Sequence, residues 1–435
     1  ATYGRRSDWQ NLYTIAKKYY EALLADPGNA QFHLTDPRGA SDKSGRTFNN
    51  PYQYFFEQMH MDDAIYADES IYEYPMQQGG GNDGRPYSFG RPSSGGSKAA
   101  YPCKSYGQGR INPAYFYGVF DPNDMRRDVS ITMTGSNGKG VEKLIPFVPN
   151  SKAEGGGLTL NKWDENRQAN PWVAAQRKSG INGPYMRMSE VYLGYAEVCA
   201  ALGDVVTGKQ YLKTVRERSF PQGLANTDAF IASFGNDLVR AIIEERGFEY
   251  AGEGDRRWTL IRSGYLPEDI KRIKDMTKAM MDGLATKGYY EFENGNIISA
   301  YIWTKLVDAK TIYGHRLTAQ CPTDKVNDPV LYPGWRGQKD NWEEMGLNYG
   351  SSTPATNLAI KGLFEIVSEE EAASLESQGY AKVNWGIDLV DYRDEYDKYL
   401  FWDYDYVSAP IYLWPFTPNV MAAGGFTNGY GFKQE

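Results

Sequence analysis

The segment EERGFEYAGEGDRRWTLIRSG, residues 244–264, is dense in side chains that could do chemistry: Glu244, Glu245, Glu249, Glu253 and Asp255 are interleaved with Arg246, Arg256, Arg257 and Arg262. Paired carboxylates can serve general acid–base or glycosidic chemistry when one of them is held protonated near neutral pH. The arginines argue the other way, because a neighbouring cation favours the ionised carboxylate. The segment has no histidine or cysteine, so it offers neither an imidazole base nor a thiolate nucleophile. Its spacing points instead to a frame. Leu238, Ala241 and Ile242 form an apolar helical stripe, and Glu245 falls on the same stripe. A carboxylate placed there needs a cation partner, for which Arg216, Arg246, Arg256 and Arg257 are the nearby candidates. We expect a structural network of Glu245, Arg246, Glu249, Glu253 and Arg256. It pins a helix hairpin that turns at Gly252 and Gly254 and returns through a short helix carrying Trp258, Leu260 and Ile261.

The elements around this hairpin are legible from periodicity. Residues 7–25 read as a helix with Leu12, Ile15, Ala16, Tyr19 and Leu23 on its apolar side, stopped by DPGN. In YMRMSEVYLGYAEVCAALGD, Met188, Val191, Tyr192, Tyr195, Cys199 and Leu202 form one apolar stripe. Gly203-Asp204 then turns the chain into the helix GKQYLKTVRERS. Small residues, Gly194 and Ala196, are placed for a tight contact, so the pair reads as a tetratricopeptide-type hairpin without an exact 34-residue repeat.

Composition narrows the partners. With 47 Lys plus Arg against 55 Asp plus Glu, the net charge of −8 excludes the basic footprint of a nucleic-acid binder. The 34 tyrosines, 10 tryptophans and 46 glycines supply rigid amphipathic rings and the loops to carry them. Cys103, Cys199 and Cys321 have no metal-type spacing and allow one disulfide at most. No metal site and no cofactor is indicated, and no run of 18 apolar residues reads as a membrane span. The Gly/Ser-rich tract 77–110 carries Arg85, Tyr87, Phe89, Arg91, Tyr101 and Tyr106, and LYPGWRGQKDNWEE carries Tyr332, Trp335 and Trp342. These nine are the candidate ligand-binding residues. The alternating rings and carboxylates of WDYDY, residues 402–406, read as a half-buried strand and not as a calcium loop.

Five stretches together resemble the SusD/RagB family of surface nutrient-binding lipoproteins. NGPYMRMSEVYLGYAEVCAALGD resembles the family's "hxRxaEvyLxyAEaxxxxGd" segment, YLKTVRERS its "lNxvRxRa" helix and IIEERGFEYAGEGDRRWTLIRSG its "lxxERxxElxxEGxRwxDLiRwG" hairpin. Upstream, VFDPNDMRRDVS resembles its "y.xxDxRrd" stretch, and LWPFTPNVMAAGGFTNGYGF resembles its closing "yPiPxxEixxNpxlxqNpGy". Thr259, Ser263, Thr417 and Asn419 depart from the usual family residues at positions that read as structural. Family members carry roughly 150 to 200 further N-terminal residues that begin with a lipid-modified cysteine. The resemblance implies that this chain starts within the fold.

The resemblance implies a mainly α SusD-like fold: a superhelix of tetratricopeptide-like hairpins with a loop-rich ligand-binding part and little β structure. The whole of 1–435 would be one SusD-like domain without its N-terminal segment, its helical scaffold at about 1–26 and 184–265 and its loop-rich part at about 30–180 and 266–435. The implied function is non-catalytic: glycan is bound at the surface of the outer membrane, where the full-length protein is lipid-anchored, and delivered to a SusC-like TonB-dependent transporter. Peptide binding by a RagB-like member and a glycoside hydrolase are the alternatives. No GxSxG, HExxH or P-loop motif is present, and no GxGxxG lies on a strand–turn–helix.

Overall fold

The computed structural model describes residues 6–28, 33–36, 50–59, 69–77, 88–92, 105–136, 142–149, 155–164, 180–308, 356–400 and 417–425. The helices are α1 (Trp9–Ala25), α2 (Pro51–Gln58), α3 (Pro113–Gly118), α4 (Arg126–Ser130), α5 (Met188–Ala201), α6 (Val205–Arg218), α7 (Thr227–Ala232), α8 (Leu238–Glu249), α9 (Asp255–Ser263), α10 (Leu266–Lys287), α11 (Glu369–Ser377), α12 (Gly386–Asp391), α13 (Arg393–Leu400) and α14 (Pro418–Gly424). The strands are short and antiparallel. β1 (Ser70–Tyr74) pairs with β6 (Gly183–Arg187), β2 (Ile131–Thr132) with β5 (Thr159–Leu160), β3 (Thr134–Ser136) with β4 (Glu142–Leu144), and β7 (Tyr289–Glu291) with β8 (Ile297–Ser299). β9 (Tyr301–Asp308) lies between β10 (Thr356–Lys361) and β11 (Ala381–Asn384) in a three-stranded sheet. The architecture is mainly α, and among the described residues no helix is long and apolar enough to cross a membrane.

The scaffold is centred on α5. Leu193 and Ala196 of α5 meet Leu212 and Val215 of α6 and Ala241 and Ile242 of α8, whereas Tyr195, Val198 and Cys199 meet Tyr13, Ala16, Tyr20 and Leu24 of α1. A helix apolar on nearly every side belongs in the middle of a layered scaffold, so the single stripe read from the sequence is replaced by two opposite ones. The α5–α6 hairpin is closed by Gly208: a Cβ there would stand 2.9 Å from the Ala196 carbonyl oxygen. Gly194, which the sequence reading assigned to this hairpin, serves the other side, where a Cβ would stand 2.4 Å from the Tyr20 hydroxyl of α1.

Helix α1 also docks on a different face from the one expected. Leu12, Ile15 and Tyr19 are 41%, 46% and 71% exposed; of the expected stripe Ala16 does pack inward, and Tyr13, Tyr20 and Leu24 pack beside it. Polar pins set that rotation: Tyr13 Oη donates to Glu197 Oε1 at 3.2 Å, Lys17 Nζ bonds Asp204 Oδ2 at 3.0 Å, and Tyr195 Oη donates to Glu21 Oε1 at 3.2 Å. The helix stops at Asp26, whose side chain accepts the Gly28 backbone N–H at 2.8 Å.

A second core lies under the sheet. Phe116, Tyr117 and Phe120 of the α3 segment pack with Met280 and Leu284 of α10, Ile302 and Ile360 of the sheet, and Trp385. Residues 266–435 were read as loop-rich, yet they open with α10, a helix of 22 residues, whose Met280, Met281 and Leu284 join this core.

Candidate functional site

Glu245 and Glu249 lie one turn apart on α8 and so project from one face; both side chains are fully buried. Arg126, which opens α4, bridges them, its Nη1 donating to Glu245 Oε1 at 2.7 Å and to Glu249 Oε2 at 3.0 Å. Its other nitrogens grip Asp124 at 2.9 and 2.7 Å. Arg216 of α6 takes the free Glu245 oxygen at 2.9 Å. Arg187, the last residue of β6, donates from Nη1 to Glu249 Oε1 at 2.5 Å and to Glu69 Oε1 at 2.8 Å, and from Nε to Glu253 Oε2 at 3.0 Å. Arg218 bonds Glu249 Oε1 at 2.6 Å and pairs with Glu69. Lys162 donates to Glu253 Oε1 at 2.6 Å and lies 5.1 and 4.7 Å above the Tyr52 and Phe56 rings.

The cluster therefore sets Arg126, Arg187, Arg216, Arg218 and Lys162 against Asp124, Glu69, Glu245, Glu249 and Glu253, one cation for each carboxylate. Four of the stretches quoted from the sequence supply most of it: DMRRDVS gives Asp124 and Arg126, YMRMSEV gives Arg187, VRERS gives Arg216 and Arg218, and EERGFEYAGEGD gives Glu245, Glu249 and Glu253, whereas Glu69 and Lys162 come from outside them. The nominated Arg246 and Arg256 do not join it. Arg246 turns to Asp255 at 2.5 Å, and Arg256 bonds Glu244 and Asp269, each at 2.9 Å. They point away because they sit on, or return along, the other side of the α8–α9 hairpin. The cations that hold Glu249 come instead from segments 31 to 123 residues distant.

Electrostatically the cluster is a frame. Burial would push the Glu249 carboxyl up, but Arg187, Arg218 and Arg126 outweigh it and hold the group below the usual carboxylate range. Glu69 is held down in the same way by Arg218 and Arg187. A general acid needs the opposite shift. Lys162 behaves differently: burial lowers its ammonium to about 8, and Glu253 only partly offsets this.

That shift gives a signed prediction. Between about pH 8 and about pH 10.4, where an unfolded lysine titrates, the unfolded chain holds a proton that folded Lys162 has released. Stability should rise with pH through that window, by up to about 1.4 kcal/mol per pH unit. Above pH 10 the buried Tyr52 and Tyr250 phenols, raised well above their ordinary value, act in the opposite sense. Chemical unfolding from about pH 8 to about pH 9.5 should therefore show a rise that Lys162→Met flattens; an equal rise in that variant would assign it to another group.

The nominated ligand residues are only partly within view. Phe89 is 44% exposed. Tyr106 is half-buried. Arg91 is corrected: it is 2% exposed, its Nη2 donates to Thr134 Oγ1 at 3.0 Å and its backbone N–H to the Trp163 carbonyl at 2.7 Å. The tract is knitted to β3 and to the chain after β5 at this point, so Arg91 is part of the core and does not face a ligand. Arg85, Tyr87, Tyr101, Tyr332, Trp335 and Trp342 lie outside the described residues, as do the rings of WDYDY. Among the described residues no group of three or more His, Cys, Asp or Glu is arranged to hold a metal ion.

With the frame in place, comparison with known proteins is decisive. Residues 31–416 match the model of the SusD family. The chain belongs to the SusD family. Over 160 residues it is 28% identical to SusD-like protein P25 of Formosa agariphila, a match covering 37% of this chain and 26% of that protein. It is also similar to surface glycan-binding protein A from Bacteroides thetaiotaomicron in complex with laminarihexaose, at 19% identity and a TM-score of 0.40, covering 60% of this chain and 52% of that one. A SusD homologue from the same organism gives 18% identity and a TM-score of 0.39, covering 63% and 52%. This SusD-family chain thus matches 26% of the length of that curated relative and about half of each solved structure.

Proposed function

We propose that this SusD-family chain is a non-catalytic glycan-binding protein of the cell surface, which holds oligosaccharide or polysaccharide against a SusC-like TonB-dependent transporter in the outer membrane. The observation that carries the reading is the family match across residues 31–416. The arginine frame supports its non-catalytic part. The carboxylates that would have served a glycosidase are engaged as ion pairs, and Glu249 is held ionised. In this reading a lipid anchor tethers the protein to the membrane surface. The ligand is bound by aromatic rings on loops, with Phe89, Tyr87, Tyr101, Tyr106, Tyr332, Trp335 and Trp342 the proposed platforms and Arg85 a proposed hydroxyl donor.

Isothermal titration of the purified chain against a panel of plant, host and microbial polysaccharides, with a peptide digest alongside, tests the reading. Saturable binding to a glycan is expected. Binding to the digest alone would move the chain to peptide capture of the RagB type, and silence toward every glycan would overturn glycan binding.

A further inference from the structure

The β1–β6 ribbon is turned inside out. Its two charged residues, Glu73 and Arg187, are each 1% exposed, whereas Tyr72, Tyr74, Tyr185 and Met186 are 53%, 57%, 68% and 41% exposed. Large, largely apolar side chains clustered at the surface of one ribbon, with the charges inside, invert the usual burial preference and mark a surface with a use. The rings are organised: Tyr72 and Tyr185 stand edge to face with centroids 5.7 Å apart and planes at 84°. They are also held rigidly from below. Arg187 ties the end of β6 into the buried ion cluster, Glu73 accepts Ser70 Oγ at 2.5 Å and Asn182 Nδ2 at 2.9 Å, and Asn182 Oδ1 accepts the Met76 backbone N–H at 2.9 Å.

From this we infer that the exposed face of the β1–β6 ribbon is a binding platform for a neutral oligosaccharide, with the Tyr72 and Tyr185 rings as its stacking surfaces. The inference rests on the glycan-binding reading above and places a site for it. Size decides against a protein partner: at roughly 150–250 Å² for a whole aromatic side chain, the four half-exposed residues offer on the order of 400–500 Å², well short of the about 800 Å² per partner of a stable protein interface. Charge decides the class of sugar. Among the described residues the two strands put no charged side chain on the exposed face, and what they present is phenol hydroxyls and ring faces. Those suit sugar C–H groups and hydroxyls better than a uronate or sulfate, which would call for a cation.

The test is titration of wild type, Tyr72→Ala and Tyr185→Ala with laminarihexaose, cellohexaose, xylohexaose and an oligogalacturonate, with melting curves in parallel. Expected is binding of a neutral hexasaccharide by wild type and at least a fivefold loss of affinity in each variant at unchanged melting temperature. Wild-type binding with unaltered variants would remove the ribbon and leave the glycan reading standing; a wild type that binds none of the four probes would likewise overturn the ribbon as a neutral-hexasaccharide platform, while the glycan reading is decided by the wider polysaccharide panel. Preference for the oligogalacturonate would overturn the neutral class. A measurement without variants guards against misfolding: nitration of the wild type by tetranitromethane, mapped by mass spectrometry, should be suppressed at Tyr72 and Tyr185 by the bound hexasaccharide, and equal nitration with and without it would overturn the site.

Discussion

Replacing Glu249 by alanine should destabilise the fold by about 3–5 kcal/mol, the cost of stripping one partner from a buried ion network. Arg126, Arg187 and Arg218 all donate to this carboxylate. Each keeps another acceptor: Arg126 has Asp124 and Glu245, Arg187 has Glu69 and Glu253, and Arg218 has Glu69. The loss is therefore one uncompensated positive charge in a fully buried site, and not three orphaned guanidinium groups. Glu249→Gln keeps the shape and should lose most of the same stability, and adding Arg218→Met should recover part of it by restoring the charge balance. Denaturant unfolding of the four proteins checks this. A melting temperature that does not move in Glu249→Ala would mean that the cluster is hydrated and the frame an illusion. The pH profile carries the same signature. Glu249 is held below its ordinary value, so its contribution is fully present above about pH 4.5 and is lost as pH falls toward the folded value.

Trp385→Ala should cost a comparable amount, about 3–5 kcal/mol, through a different mechanism. The indole is fully buried, 4.2 Å from the Phe147 ring centroid, and its Nε1 donates to Tyr117 Oη at 2.8 Å. Removing it opens a cavity where β11 passes into α12 and leaves the Tyr117 hydroxyl without that donor, beneath the stacked Phe292 ring. Trp385→Phe weighs the two terms, since it keeps much of the packing, removes the N–H and leaves a smaller cavity than alanine does, for about 1–3 kcal/mol. Equal losses in the two variants would show that the hydrogen bond and not the cavity dominates. Neither substitution touches an exposed ring, so ligand affinity should survive in whatever fraction remains folded.

How much of this was legible in the sequence follows from what periodicity reports. It reports that a helix exists and which residues are apolar, so α1, α5, α6 and α8 could be placed. It does not report which of two apolar stripes is covered, and α1 turns on Tyr13 and Lys17, whose partners Glu197 and Asp204 lie 184 and 187 residues away. The same limit explains the frame. Glu245 could be recognised as a carboxylate on an apolar stripe, but Arg126, Arg187 and Arg218 arrive from elements that sequence spacing cannot join to α8. A signal was present nonetheless, because each of these arginines lies inside a stretch already recognised as a family motif. Motifs that keep company across a long chain can be parts of one buried cluster. Arg91 went wrong for a related reason: in a Gly/Ser-rich tract nothing distinguishes an arginine that dives to Thr134 and Asp164 from one that waits at the surface. The β1–β6 ribbon escaped notice because its strands are five residues long and its exposed residues are the aromatic ones, against the usual pattern.

In the proposed reading the carboxylates of the α8–α9 hairpin hold the fold and do no chemistry. This is tested most directly by incubating the purified chain with the polysaccharide it binds most tightly and following the release of reducing ends over time. No release above the protein-free control is expected. Sustained release that Glu244→Gln, Glu245→Gln or Glu249→Gln abolishes while the melting temperature stays unchanged would contradict that reading and make the frame an active site.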